Sequence, residues 1–235
     1  MALDFAARIH ALTGFDADSA DNTETGDDFD EAAAQFMTDA VKEVTNILPP
    51  KLKEKCLTES TITNSPSHLA DLDGIGEIMY VTRLSADSGG FRIPCREVPS
   101  AFGEMSGDST SIYFASATDP AYWVTSSNDA MILNVNPTPT ANQTAIVYHV
   151  GYPTFTAADA GTYDVTAATS IANFPDEAEH LVVLRAAISA AQYLLAIEED
   201  PELYIPIISS LKAQYQDAVQ GVITANIAMP KEGAK

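Results

Sequence analysis

The sequence predicts an α+β protein: N-terminal helices, an antiparallel β region in the middle, and a C-terminal antiparallel helical hairpin. Three observations predict it. Near both ends, apolar residues recur at spacings of three and four, the period of a helix with one buried face. From about Leu57 to Phe155, short runs rich in β-branched and aromatic residues alternate with Gly, Pro, Asn, Asp and Ser. No helix-length periodic segment interrupts those runs, which argues against a doubly wound parallel sheet.

Residues 2–14 (ALDFAARIHALTG) read as a short helix, and the acidic, Ser/Thr-rich stretch 16–28 (DADSADNTETGDD) as a loop without apolar anchors. Asp28 with Glu31 three residues later forms a variant capping box. Phe29, Ala33, Phe36, Ala40, Val44 and Ile47 then share one helix face until Pro49-Pro50 stops it. Glu77 to Leu84 reads as a strand, Asp87-Ser88-Gly89-Gly90 as a turn and Phe91 to Val98 as the returning strand. Ser111 to Ala115, Tyr122 to Thr125, Ala130 to Val135 and Ala145 to Val150 continue the series as a meander, a sandwich or a small barrel.

Thr156 to Ser170 is a small, polar linker. Pro175, Asp176 and Glu177 suit the first turn of a helix running to about Glu198, because proline lacks an N–H there at no cost and carboxylates meet the helix dipole. Asp200-Pro201 caps and starts a second helix with Tyr204, Ile208, Leu211, Tyr215, Ala218 and Val222 on one face. Pro206 sits near its first turn, where it is tolerated. The short connection makes the pair an antiparallel hairpin, and Pro230 to Lys235 is a tail. The expected domains are 1–56, 57–155 and 156–235, with the helical parts packing together as one.

Thirty-three Asp and Glu against 12 Lys and Arg give a formal net charge of -21. Such a surface repels phosphates and anionic lipid, which excludes a DNA-reading domain and argues against membrane docking. It suits solubility, a salty environment, or a wall past which DNA slides without sticking. The two cysteines, Cys56 and Cys95, are too few for a disulfide framework, and free thiols in a reducing cytoplasm are expected. Met1-Ala-Leu-Asp-Phe lacks the n- and h-regions of an export signal.

Candidate chemistry is sparse. Asp87-Ser88-Gly89-Gly90 resembles a protease nucleophile loop, but His68 and Asp73 lie too close before it, and a Gly-Gly hairpin turn explains it. Gly103-Glu104-Met105-Ser106-Gly107 has its serine one place off a nucleophile elbow, and Asp73-Gly74-Ile75-Gly76 lacks a following helix to face a phosphate. The acidic groups Asp16, Asp18, Asp21 and Asp71, Asp73 lack the calcium-loop pattern. His10, His68, His149 and His180 are scattered without zinc spacing. Asn142-Gln143-Thr144 is a sequon by chance. Tyr113, Phe114, Tyr122, Trp123, Tyr148, Tyr152 and Phe155 read as sheet packing or as an aromatic ligand platform. No catalytic, cofactor-binding or metal-ligating residue is assigned, and no cofactor is expected.

The segment Ala178 to Ile197 demands most. Glu179, His180, Arg185, Ser189 and Gln192 interrupt it, and each central charge costs ~2.5 kcal/mol or more in a bilayer, so it reads as a helix buried in protein. Leu181, Val182, Val183, Leu184, Ile188, Leu194, Leu195 and Ile197 make it apolar nearly all round. The hairpin partner covers one side and the sheet another. The remainder predicts neighbouring subunits, the alternative being full coverage within one chain.

The order of parts, with FPDEAEHLVVLRAAISAAQYLLAIEEDPELY at the end and DPAYWVTSSNDAMILNVNPTPT leading into AIVYHVGYPTF, resembles the head–tail connector (adaptor or neck) proteins of tailed bacteriophages over roughly residues 28–225. The resemblance implies a non-enzymatic virion protein at the head–tail junction, assembled in the host cytoplasm. It implies a homo-oligomeric ring, commonly of twelve copies, between the portal protein and tail or neck proteins. DNA would be only a passenger through an acidic channel, with no membrane partner. Another virion component (tail, baseplate or capsid decoration) and a glycan-binding β module using Trp123 are the competing readings.

Overall fold

A computed structural model describes residues 3–15, 26–64, 67–68, 75–85, 90–127, 130–156, 164–198 and 200–227. The chain divides into two compact units, residues 1–56 with 152–235, and residues 57–151. The architecture is the α+β arrangement expected, with helices towards both ends and β structure between. Much of the acidic loop 16–28 lies outside the described residues, as do Asp71, Asp73, Asp87 to Gly89 and the tail from Pro230.

The first unit is helical. Helix α1 (Phe5–Thr13) starts where Asp4 accepts from the Ala7 N–H at 2.7 Å, and ends where Gly14 turns left-handed, at φ 75°, and donates to the His10 carbonyl. Helix α2 (Gly26–Ile47) is already helical two residues before Asp28, so Asp28 is not its cap. Its buried stripe is Ala33, Met37, Ala40, Val41, Val44 and, just past its end, Leu48. Ile47 is exposed and Phe36 half-buried, so the stripe is rotated about one residue from the face read in the sequence. A short helix, α3 (Pro50–Lys53), opens directly after Pro49. Helices α4 (Asp176–Glu198) and α5 (Pro201–Ile227) form the hairpin, with Asp200 capping α5 through the Leu203 N–H.

Helix α4 is the axis of this unit. It packs against α1, α2 and α5. Leu181, Val182, Val183, Ala186, Ala187, Ile188, Ala190, Ala191 and Leu194 are all buried within the chain. Much of the apolar surface that the sequence left for neighbouring subunits is covered by α1 and α2, brought in from the other end of the chain, while Ile197 stays 53% exposed and Leu184 lines an open groove. Each fully buried Leu or Ile contributes ~1.5–3 kcal/mol relative to exposure. Although α4 is long and apolar enough to cross a membrane, its Arg185 donates to Glu43 of α2 at 2.6 Å and to Ser189 at 2.9 Å. Phe15, Phe36 and Tyr193 meet edge to face, tying the end of α1, α2 and α4 together.

Among the described residues the second unit holds eight strands in two four-stranded sheets: β1 (Leu57–Ile62), β2 (Ser67–His68), β3 (Ile75–Leu84), β4 (Arg92–Pro94), β5 (Arg96–Glu97), β6 (Ala121–Ser127), β7 (Ala130–Asn136) and β8 (Ala145–Gly151). The orders are β1-β8-β3-β4 and β2-β7-β6-β5. The inner faces meet in one apolar cluster of Ile62, Val81, Cys95, Tyr122, Leu133, Val135, Ala145 and Val147, a packed pair of sheets. The returning strand read over Phe91 to Val98 is broken at Cys95. Its first half pairs with β3, and its second half joins the other sheet in a short parallel pair with β6. Ser111 to Ala115 is no strand but a turn and irregular chain.

Arg83 on β3 is only 3% exposed. Its Nη2 donates to Gln143 Oε1 at 2.7 Å, while Nε and Nη1 have no hydrogen-bond partner among the described residues. Desolvation lowers its pKa. A buried cation so poorly matched opposes folding. Urea titrations should find Arg83→Met as stable as the parent or more so, and Gln143→Leu less stable by ~1–3 kcal/mol, because it strips the guanidinium of its acceptor.

Both cysteines are buried and free. Burial pushes Cys56 from its ordinary 9.0 to about 11, against the lowering pull of Lys53 and Lys55, and Cys95 to about 12, against Arg83. The folded state thus prefers the neutral thiol. That stabilisation is complete below pH 9, the unfolded value, and is lost as pH rises through 11 to 12. Unfolding midpoints measured between pH 8 and 11.5 should fall, with a shallower fall in Cys56→Ala and Cys95→Ala. Neither native thiol should react with a thiol reagent at pH 8 before unfolding.

Candidate functional site

The feature best built for function in the β unit is an excursion between β5 and β6. Pro99 fixes the backbone entry to a 3-10 helix, Ser100–Gly107, and an irregular stretch then returns to Ala121. Several bonds fix this stretch. Asp108 accepts from the Thr110 N–H at 2.9 Å and hydroxyl at 2.8 Å, which hold its carboxyl below the usual range. The Ala115 N–H donates to the Ser106 carbonyl at 2.9 Å, and Asn136 Nδ2 to Ser106 Oγ at 3.1 Å. Arg96 Nη2 donates to the Phe114 carbonyl at 3.1 Å and pairs with Asp119 at 3.3 Å. Val98, Ala115 and Ala121 form a small core beneath, with Tyr113 against it.

On this fixed backbone the largest apolar side chains face outward. Phe102, Met105, Ile112 and Phe114 are exposed, Ile112 to 88%. Tyr113 stacks on Phe102 with ring centroids 4.8 Å apart. Leaving an Ile in water forgoes ~1.5–3 kcal/mol of burial, so a grouped set of such residues marks a contact surface. Glu104 and Asp108, both exposed, flank it.

The helical unit carries a separate groove of about 380 Å³ between α1 and α4, lined by Leu3, Arg8, Ala11, Leu12, His180, Val183 and Leu184. It exists because α1 buries Phe5, Ala6, Ile9 and Thr13 on one side and leaves Ala11 and Leu12 on another. Arg8 lies over the Phe5 ring, 5.3 Å from its centroid, so its charge is held at the groove rim.

The residues weighed for chemistry do not converge. Ser60 Oγ and His149 Nε2 are 3.0 Å apart, but His149 Nδ1 faces the Val150 carbonyl where a triad would place a carboxylate. The pair is a cross-strand bond between β1 and β8. His10 and His180 lie on α1 and α4, while Gly103 to Gly107 lie in the 3-10 helix instead of a strand-to-helix elbow. Among the described residues no three His, Cys, Asp or Glu side chains group as metal ligands. Asp16, Asp18, Asp21, Asp71 and Asp73 are outside the described residues. The aromatics singled out in the sequence are dispersed: Tyr122 is core, Phe155 packs edge-on to Phe5, Tyr148 stacks on Tyr80, Trp123 is half-buried, and Tyr113 and Phe114 lie on the excursion. The exposure of Phe102, Met105 and Ile112 escaped the sequence reading, since no period separates an outward apolar side chain from an inward one in irregular chain.

A Cβ on Gly103 would overlap the indole of Trp123, the protein's single tryptophan. Gly103→Ala should therefore displace that ring, shifting the emission of the native protein and lowering stability by ~1–3 kcal/mol. Gly107→Ala, whose Cβ meets open space, should leave emission and unfolding midpoint unchanged.

Comparison with known proteins gives one family match, to the SU10 adaptor protein, over residues 6–230. No protein of curated function matches the chain.

Proposed function

Because the chain belongs to the SU10 adaptor protein family, a structural family of phage adaptors, we propose that it assembles as a closed ring between the portal and the tail. The virion's head–tail junction is where such adaptors act. The ring would extend the DNA channel, dock tail or neck proteins and carry twelve copies. The observation that carries this reading is the extent of the match, which runs from α1 to the end of α5 and includes the whole β unit.

Two physical features support it. A net charge of -21 on each copy suits a channel that repels DNA phosphates, past which the genome would slide without adhering. The exposed apolar tip is held on a fixed backbone, which lowers the ordering cost of docking. The helical parts and the β region would act as two domains. Much of the apolar surface of α4 is covered inside the chain, and the part beside α1 lines the groove.

Negative-stain microscopy and mass photometry of the chain mixed with its portal should show rings whose mass is a multiple of 25.0 kDa. A species that stays at 25.0 kDa at micromolar concentration with portal present would sink the reading.

A further inference from the structure

We propose that the tip of the β unit, Phe102, Met105, Ile112 and Phe114, seats in the α1–α4 groove of a second copy of this chain. The inference rests on the ring reading above and names the surfaces that build the ring.

Charge selects the partner. Two copies of a chain with net charge -21 repel over most of their surface. They attract only where apolar surface is grouped and flanking charges are opposite. The tip is flanked by the exposed carboxylates of Glu104 and Asp108, and the Arg96 guanidinium beside Phe114 is offset by its ion pair with Asp119. Among the groove's lining residues Arg8 supplies the fixed charge, a guanidinium. The two apolar features are thus matched in sign as well as in character.

Symmetry selects the mode. A twofold dimer through the tips would set Glu104 and Asp108 of one copy against the same carboxylates of the other. A dimer through the grooves would set Arg8 against Arg8. Tip into groove avoids both. Each copy then donates one tip and receives one, a head-to-tail contact that repeats, which is the kind of contact a ring needs. The outward side chains are the kind that anchor interfaces, aromatic and aliphatic groups entering a pocket with a polar rim.

The test uses chains carrying Leu12→Cys, Ile112→Cys or both, assembled with portal and treated with a short bismaleimide. The native Cys56 and Cys95 are buried and do not compete. Rings of the doubly substituted chain should give a ladder of covalent multimers. A mixture of the two single variants should stop at dimers, and each alone should give none. Arg8→Glu should shift the mass from ring to single chain, and Glu104→Lys with Asp108→Lys should restore the ring.

Rings that form normally, yield no cross-link between these positions and survive Ile112→Asp would overturn the contact while leaving the ring reading intact. Cross-linking of Ile112→Cys to itself or to portal would also overturn it, and would identify the tip's actual occupant. Failure of the unsubstituted chain to form rings with portal removes both proposals together.

Discussion

The fold depends on one constraint: α4 is apolar on nearly every side and must be surrounded. Its sequence leaves only Arg185, Ser189 and Gln192 as polar breaks along the central turns. Water cannot be one of its main neighbours, so three helices close around it. Two of them, α1 and α2, come from the opposite end of the chain. That requirement holds residues 1–56 and 152–235 together as one unit, although nearly a hundred residues of β structure separate them in sequence. Polar details follow the same logic. Arg185 reaches Glu43 on α2, and Glu179, in the first turn of α4, accepts from the Ile171 N–H at 2.7 Å, fixing the chain that leads into the helix.

The β unit can occupy the middle of such a chain because of its own topology. It is entered at Leu57 and left near Gly151, and β1 and β8 are antiparallel neighbours with Leu57 opposite Val150. Adjacent ends let a folded insertion leave its host's backbone path undisturbed. Its excursion from β5 to β6 is then free to carry contact residues, since neither the shared core nor the sheet registers depend on Ile112 or Phe114.

Legibility in the sequence followed the strength of local period. Helix α5 was plain, with Tyr204, Ile208 and Leu211 all buried as their spacing requires. The face of α2 was harder, because small alanines and threonines blur the stripe, and Thr38 is buried by donating to the Ala34 carbonyl and accepting from the Phe155 N–H. In the β region, composition found β3, β6, β7 and β8 but mistook Ser111 to Ala115 for a strand. Ile, Tyr and Phe there serve exposure and stacking, and only pairing makes a strand. The break at Cys95 had a signal in Pro94, which cannot donate to a ladder, but nothing in the sequence says that the partners of the two halves come from different sheets. For α4, spacing revealed that something must cover it, but a sequence does not say whether the cover belongs to the same chain.

The late position of α4 sets an order of events during synthesis. The ribosome makes α1 and α2 first, then the entire β unit, and only afterwards the helix that buries their apolar faces. At ~5–20 residues per second, α2 waits on the order of 10 s for its partner to emerge. The β unit, a compact unit whose strands are all made once β8 has appeared, can fold during that interval. Nascent chains stalled before α4 should therefore hold a finished β unit beside helices with Met37, Val41 and Val44 still bare, the species a holdase chaperone would recognise.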